Sequence, residues 1–169
     1  MTTASSSTPA AIFNLPLFTE IQELYNNDQE GKILTDHFAR IKKIIEQYRW
    51  PGISLVGKEG SQMMWVLVQH CDNDLEFQTL CLKLLRIAVA NNDASKENLA
   101  FLTDRVHLQH GHRQIFGTQF YHQNNNSHPF PIEDEANLDQ RRRDMGLMPF
   151  SEYVAGFKQL FPLEKSTVN

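Results

Sequence analysis

LAFLTDRVHLQHGHRQIFGTQF, residues 99–120, is the stretch whose reading decides the fold. It opens as the end of an amphipathic helix and sets Asp104 and Arg105 side by side at a change of period. From Val106 apolar and polar residues alternate through Leu108, break at His110-Gly111-His112, and resume through Ile115 into Gly117-Thr118-Gln119. That pattern predicts a helix feeding a β-hairpin, with polar groups gathered at the junction and on the returning strand. Polar groups of fixed geometry concentrated where a sheet begins point to a binding site.

Working outward, the N-terminal side reads as helices. Residues 1–11 are rich in Ser, Thr and Ala and are expected to be a disordered tail. Residues 12–17 read as an extended lead-in, with Thr19 capping a helix to about residue 26. A second helix spans 29–49, where Ile33, Leu34, Phe38, Ile41, Ile44, Ile45 and Tyr48 form one stripe and Trp50-Pro51-Gly52 stops it. Residues 53–56 read as a short extended link. Helices follow over 58–71, 74–90 and 96–103, capped in the last two cases by Asp74 and Ser95. After the hairpin comes a third extended piece at 128–132, then a helix over 138–145 ending at Gly146, and a last helix capped by Ser151. The expected architecture is one α+β domain over 12–163, mainly helical with about seven helices and one small antiparallel β-meander, followed by a tail at 164–169.

Composition bounds the function. A chain of 169 residues can bury a core without disulfides or metal. A net charge of −4, with Arg141-Arg142-Arg143 as the only basic cluster, argues against nucleic acid. No apolar run is long enough for a membrane span. The opening residues lack a basic segment followed by an apolar one, and Cys71 and Cys81 lack metal-binding spacing. The expectation is therefore a cytoplasmic protein with reduced thiols.

Several polar residues stand where structure alone would not place them. His70 shares a helical face with Met63, Val66 and Leu67 and is expected to point inward, either as a satisfied core histidine or as an acid/base group. Gln78 is also expected inward, so that Gln69, His70, Asp72 and Gln78 meet at one turn. Asp104 and Arg105 supply charge, either as an ion pair holding helix to sheet or as an orienting acid and an anion clamp. Gln114 and Thr118 share one strand face and Gln119 lies on the other, so Gly117 is expected to bend the strand. His107, His110 and His112 have the residue types of a metal site but no thiolate or carboxylate at fixed spacing. No metal or cofactor is assigned. Arg141 and Arg142 read as partners of Glu133 or Asp134, or as a phosphate clamp.

In order along the chain, VQHCDNDLEFQ, FLTDRV, QIFGTQF, PIEDEANLDQRRRDMGL and FSEYV resemble a family of bacterial domains of unknown function. Its pattern runs QHxD, Q, LxDR, QxYGTQ, then RRxxxGL. The likeness covers roughly residues 50–154 and implies a shared site at His70, Asp72, Gln78, Asp104, Arg105, Gln114, Gly117, Thr118, Gln119, Asp134, Arg141 and Arg142. Phe116 stands where the family has tyrosine, so no hydroxyl chemistry is assigned there.

Two functions of different class follow from the residues. In one, the protein is a hydrolase or transferase. His70 is the general acid/base, oriented by Asp72 or Asp104, and Arg105 with Arg141 or Arg142 holds a small anionic ligand. Gln78, Gln114, Thr118 and Gln119 then read the ligand's amide or hydroxyl groups. In the other, the protein is a non-catalytic module for a protein partner, of effector or immunity type, and its polar corner is a structural network.

Overall fold

The computed structural model describes residues 13–33, 35–123 and 126–160, with side chains to residue 156. The expected tails and residues Asn124 and Asn125 of the turn lie outside these. Among the described residues there are seven helices and one two-stranded antiparallel sheet. In chain order they are α1 (Leu15–Gln29), α2 (His37–Tyr48), α3 (Ile53–Gln69), α4 (Leu75–Ala90), α5 (Lys96–Gln109), β1 (Phe120–Gln123), β2 (Asn126–Pro129), α6 (Leu138–Asp144) and α7 (Phe150–Leu160). The architecture is α+β and mainly helical, as its sequence pattern predicts.

The core is built by five helices. Leu17, Ile21 and Leu24 of α1 meet Met64, Leu67 and Val68 of α3, with Ile41 and Ile45 of α2, Leu85 of α4 and Leu102 of α5 packed into the same cluster. The two helices α1 and α3 can approach closely because Gly60 lies between them: a Cβ there would sit 2.9 Å from Phe18 Cδ2.

Four local readings are corrected by the structure. The lead-in at 12–17 is already helical from Leu15, because Pro16 fits the first turn of a helix and Asn14 accepts the Leu17 N–H at 3.1 Å. Helix α1 runs on to Gln29 and α2 starts only at His37, since Gly31 takes a left-handed conformation (φ +68°) and ends the first helix. Residues 53–56 are a helical turn rather than an extended link, set off from the rest of α3 by a kink at Gly57 (φ 72°, ψ 170°). Their cap comes from across the fold: Asp93 accepts the Ser54 N–H at 2.6 Å and its hydroxyl at 3.1 Å, and its carbonyl accepts the Ile53 N–H at 2.8 Å. The last helix begins at Phe150 rather than after a Ser151 cap, and the Phe150 N–H is held by Asp139 at 2.8 Å.

The largest correction falls on residues 99–120. Helix α5 continues to Gln109, and His110-Gly111 is its C-terminal cap, not a hairpin tip; Gly111 has φ +76°. Alternation over Val106–Gln109 is too short to override a helix whose residues Leu99, Leu102 and Val106 already face the core. Residues 113–119 form a folded loop whose β-bridge to the rest of the fold is parallel, Gln114 to Ile132. The hairpin lies further on: Phe120 pairs with Pro129, Tyr121 with His128 and Gln123 with Asn126. A three-stranded meander is thus replaced by two strands and a loop.

Candidate functional site

Helix α3 buries Met63, Met64, Leu67 and Val68, and Cys71 is buried just beyond its end. The inward stripe is therefore centred one residue away from the face that would carry Val66 and His70. His70 follows the last residue of α3 as its C-cap and turns outward, its side chain 47% exposed. Its Nδ1 lies 2.6 Å from Asp28 Oδ2, at the end of α1. The Asp28 side chain is only 5% exposed and its other oxygen lies 3.9 Å from Nε2 of the fully buried His37. A carboxylate accepts, so the tautomer that fits this contact has its proton on Nδ1 and its lone pair on Nε2. Asp28 escaped sequence reading: it is 42 positions from His70, and only the packing of α1 on α3 joins them.

Beside His70 lies a hollow of about 240 Å³ lined by Phe38, Lys42, His70, Cys71, Asn73 and Asp74. Lys42 pairs with Asp74 across it; the lysine's hydrogen bond holds the Asp74 carboxyl below the usual carboxylate range, helped by the Phe77 N–H. Cys71 is no nucleophile. Burial pushes its thiol up to about 12, and Sγ–H is turned onto the Leu67 carbonyl. Cys81 is likewise shifted up by burial. Neither thiol is expected to react with iodoacetamide at pH 8 over an hour in the folded protein, while both alkylate in guanidinium; peptide mass mapping reads the result.

On the same turn, Asp72 organises a second group. Its Oδ1 accepts from Arg105 Nη1 at 2.7 Å and from Gln78 Nε2 and Gln109 Nε2 at 3.4 Å each, while Arg105 Nε donates to Gln69 Oε1 at 3.2 Å. Gln78 is fully buried, as expected, and also donates to the carbonyls of Val68 and Gln69 at 2.9 and 3.0 Å. It ties the turn between α3 and α4 to its own helix.

Asp104, one residue before Arg105, serves a different neighbourhood, because adjacent helical positions point about 100° apart. It is fully buried and accepts four hydrogen bonds: the N–H groups of Ile115 (2.6 Å), Phe116 (2.9 Å) and Thr118 (2.9 Å), and the Thr118 hydroxyl (2.8 Å). The loop at 113–119 is wrapped around this carboxylate. Gln114, also fully buried, completes it: Oε1 accepts the Gln119 N–H at 2.9 Å, and Nε2 donates to the Phe130 carbonyl at 2.7 Å. The side chain of Gln119 reaches the Thr118 hydroxyl at 3.1 Å.

Arg141 and Arg142 fasten this loop from α6. Arg141 donates to the Ile115 carbonyl at 3.0 Å and to Asp134 at 2.9 Å (carbonyl) and 3.3 Å (carboxylate). Arg142 is fully buried, donates to the carbonyls of Phe116 and Met148, and lies 4.9 Å from the Tyr153 ring centroid. Burial pushes its guanidinium pKa down, and Tyr153, Asp139 and Asp104 oppose that shift. The structure thus brings the sequence candidates together in two groups rather than one: Asp72, Gln78 and Arg105 at the turn, and Asp104, Gln114, Thr118, Gln119, Arg141 and Arg142 around the loop. None of these lines the hollow beside His70.

The histidines at the end of α5 lie close, His107 and His110 having ring centroids 5.8 and 6.2 Å from that of His112. His110 Nε2 is 3.2 Å from the Thr79 hydroxyl. Among the described residues no group of three His, Cys, Asp or Glu is placed to hold a metal ion, and no helix is long and apolar enough to cross a membrane.

A mainly helical α+β domain with a buried carboxylate nest and a surface imidazole–carboxylate pair is the class these features define. The chain belongs to the family of unknown function DUF6624, whose pattern matches residues 22–165. No curated protein and no solved structure matches it.

Proposed function

We propose that the protein is a cytoplasmic hydrolase or transferase in which His70 is the general acid/base and Asp28, rather than Asp72 or Asp104, orients it. One observation carries this reading: a half-exposed imidazole bonded at 2.6 Å, through Nδ1, to a carboxylate that is itself withdrawn from water. In that arrangement Nε2 takes a proton from water or from a substrate hydroxyl, and Asp28 stabilises the imidazolium that results. The hollow beside the ring limits the substrate to a small molecule, and Lys42, Asn73 and Asp74 offer it an ammonium, an amide and a carboxylate. Arg105, Asp104 and the Gln114–Gln119 loop act in this reading as the frame that holds the turn and the C-terminal helices. The unpaired thiols Cys71 and Cys81 suit a reducing compartment.

The test is a panel of phosphate monoesters, carboxylic esters and amides, assayed with His70→Gln and Asp28→Asn beside the native chain. Turnover of one class should fall about 10²–10⁴-fold in His70→Gln, and Asp28→Asn should retain only part of the native rate. Because His70 lies at the surface, its variant should melt within about 2 °C of the native protein. The rival reading, a protein-interaction module, draws on Leu80 and Ile87, seven residues apart on α4 and 42% and 59% exposed. Turnover that is the same in native chain and His70→Gln would remove the role of His70, and turnover absent from both across the panel would favour the interaction module.

A further inference from the structure

A larger cavity, about 770 Å³, lies between α3, the start of α5 and the end of α6. Its nearest α3 side chain, Gln62, is about 12 Å from His70 along the helix, so the two places are separate. Small-molecule sites commonly have this volume, and two polar side chains that line the cavity, Ser61 and Asn98, are largely buried. Ser61 is 5% exposed, and its hydroxyl has no partner among the described residues. The usual acceptor for a helical serine, the carbonyl four residues earlier, belongs to Gly57, which is non-helical at φ 72°, ψ 170°. Asn98 is 9% exposed and locked: its N–H bonds Ser95 Oγ at 3.3 Å, its carbonyl accepts from Trp65 Nε1 at 2.9 Å, and its side chain bonds that of Gln62 at 2.7 Å.

The Asn98–Gln62 pair has a chemical consequence. Asn98 Nδ2 donates to Gln62 Oε1, which leaves the second N–H and the carbonyl oxygen of Asn98 and both N–H bonds of Gln62 without a partner from the pair. A linked donor and acceptor of that kind matches the edge of a nucleobase. Ile53 and Met145 give the cavity an apolar wall for a flat ring. Lys58 and Lys96 stand on the rim with no ion pair among the described residues, and Lys96 opens α5, whose N-terminus carries partial positive charge. Glu59 and Glu97, on the same rim, weigh against a ligand with several negative charges. We infer that this cavity binds a nucleoside monophosphate, its base edge on Asn98 and Gln62 and its phosphate between Lys58 and Lys96.

Calorimetric titration of the full chain with the four common ribonucleoside monophosphates, with the free nucleosides and with inorganic phosphate tests the inference. At least one monophosphate should bind saturably with Kd below about 1 mM. Its nucleoside and phosphate alone should each bind about tenfold or more weakly. Gln62→Ala, an exposed and therefore tolerated change, should weaken binding about tenfold, as should Lys58→Ala with Lys96→Ala. His70→Gln should leave the affinity unchanged, which keeps this site distinct from the one beside His70. Absence of saturable binding, indifference to Gln62→Ala and to the lysine pair, equal binding of phosphate alone, or loss of binding in His70→Gln would each overturn it.

Discussion

Asp104→Ala should lower the melting temperature by about 10 °C, the largest stability loss of any single change at the polar groups described. The carboxylate gathers three backbone N–H groups and one hydroxyl from residues 115–118. Removing it strands those donors in a site closed to water, where each unmet bond costs roughly 1–3 kcal/mol. Partial relaxation of the loop brings the sum to about 4 kcal/mol, and for a chain of this size each kcal/mol is worth about 2–4 °C. Asp104→Asn should recover less than half the loss, because its NH₂ faces donors that need an acceptor. Thermal melts followed by circular dichroism measure both, and a fall below about 3 °C for the alanine variant would show that the nest contributes little.

Gly117→Ala carries the second large effect, and a paired control isolates its cause. Gly117 has φ +66°, and a Cβ there would lie 2.8 Å from Phe150 Cε2 and 3.1 Å from Ile132 Cδ1. Gly31 shares the left-handed conformation at φ +68° but has nothing within 4 Å. Gly31→Ala should therefore cost about 1 kcal/mol, for conformation alone. Gly117→Ala should cost about 3 kcal/mol, since the loop must also move away from α7. Urea denaturation gives the two values; equal losses would mean that the contact with Phe150 yields freely.

The helices were legible because their stripes and caps are local. Asp74 and Ser95 cap α4 and α5 where the pattern placed them, each accepting a backbone N–H three residues on. What failed to show was anything made by distant segments. The cap of α3 is a side chain 39 residues further along the chain, at Asp93. The loop at 113–119 imitates a strand in sequence, because polar residues flank apolar ones over Gln114–Thr118, yet three of its N–H groups point to a carboxylate instead of a neighbouring strand. Gln78 was readable as a buried amide and Gln114 as part of a polar strand face, but that they bond backbone carbonyls and N–H groups rather than face a hollow depends on packing. His70 shows the sharpest limit: a stripe misplaced by one residue turns an inward side chain outward, and its partner Asp28 sits on another helix.

The pairing of His70 with Asp28 is open to direct measurement by long-range ¹⁵N–¹H NMR of the histidine rings at about pH 9, where ordinary imidazoles are neutral. The His70 ring should show a protonated Nδ1 and an unprotonated Nε2, and Asp28→Asn should shift it towards the opposite tautomer. A ring protonated at Nε2 in both proteins would contradict the account.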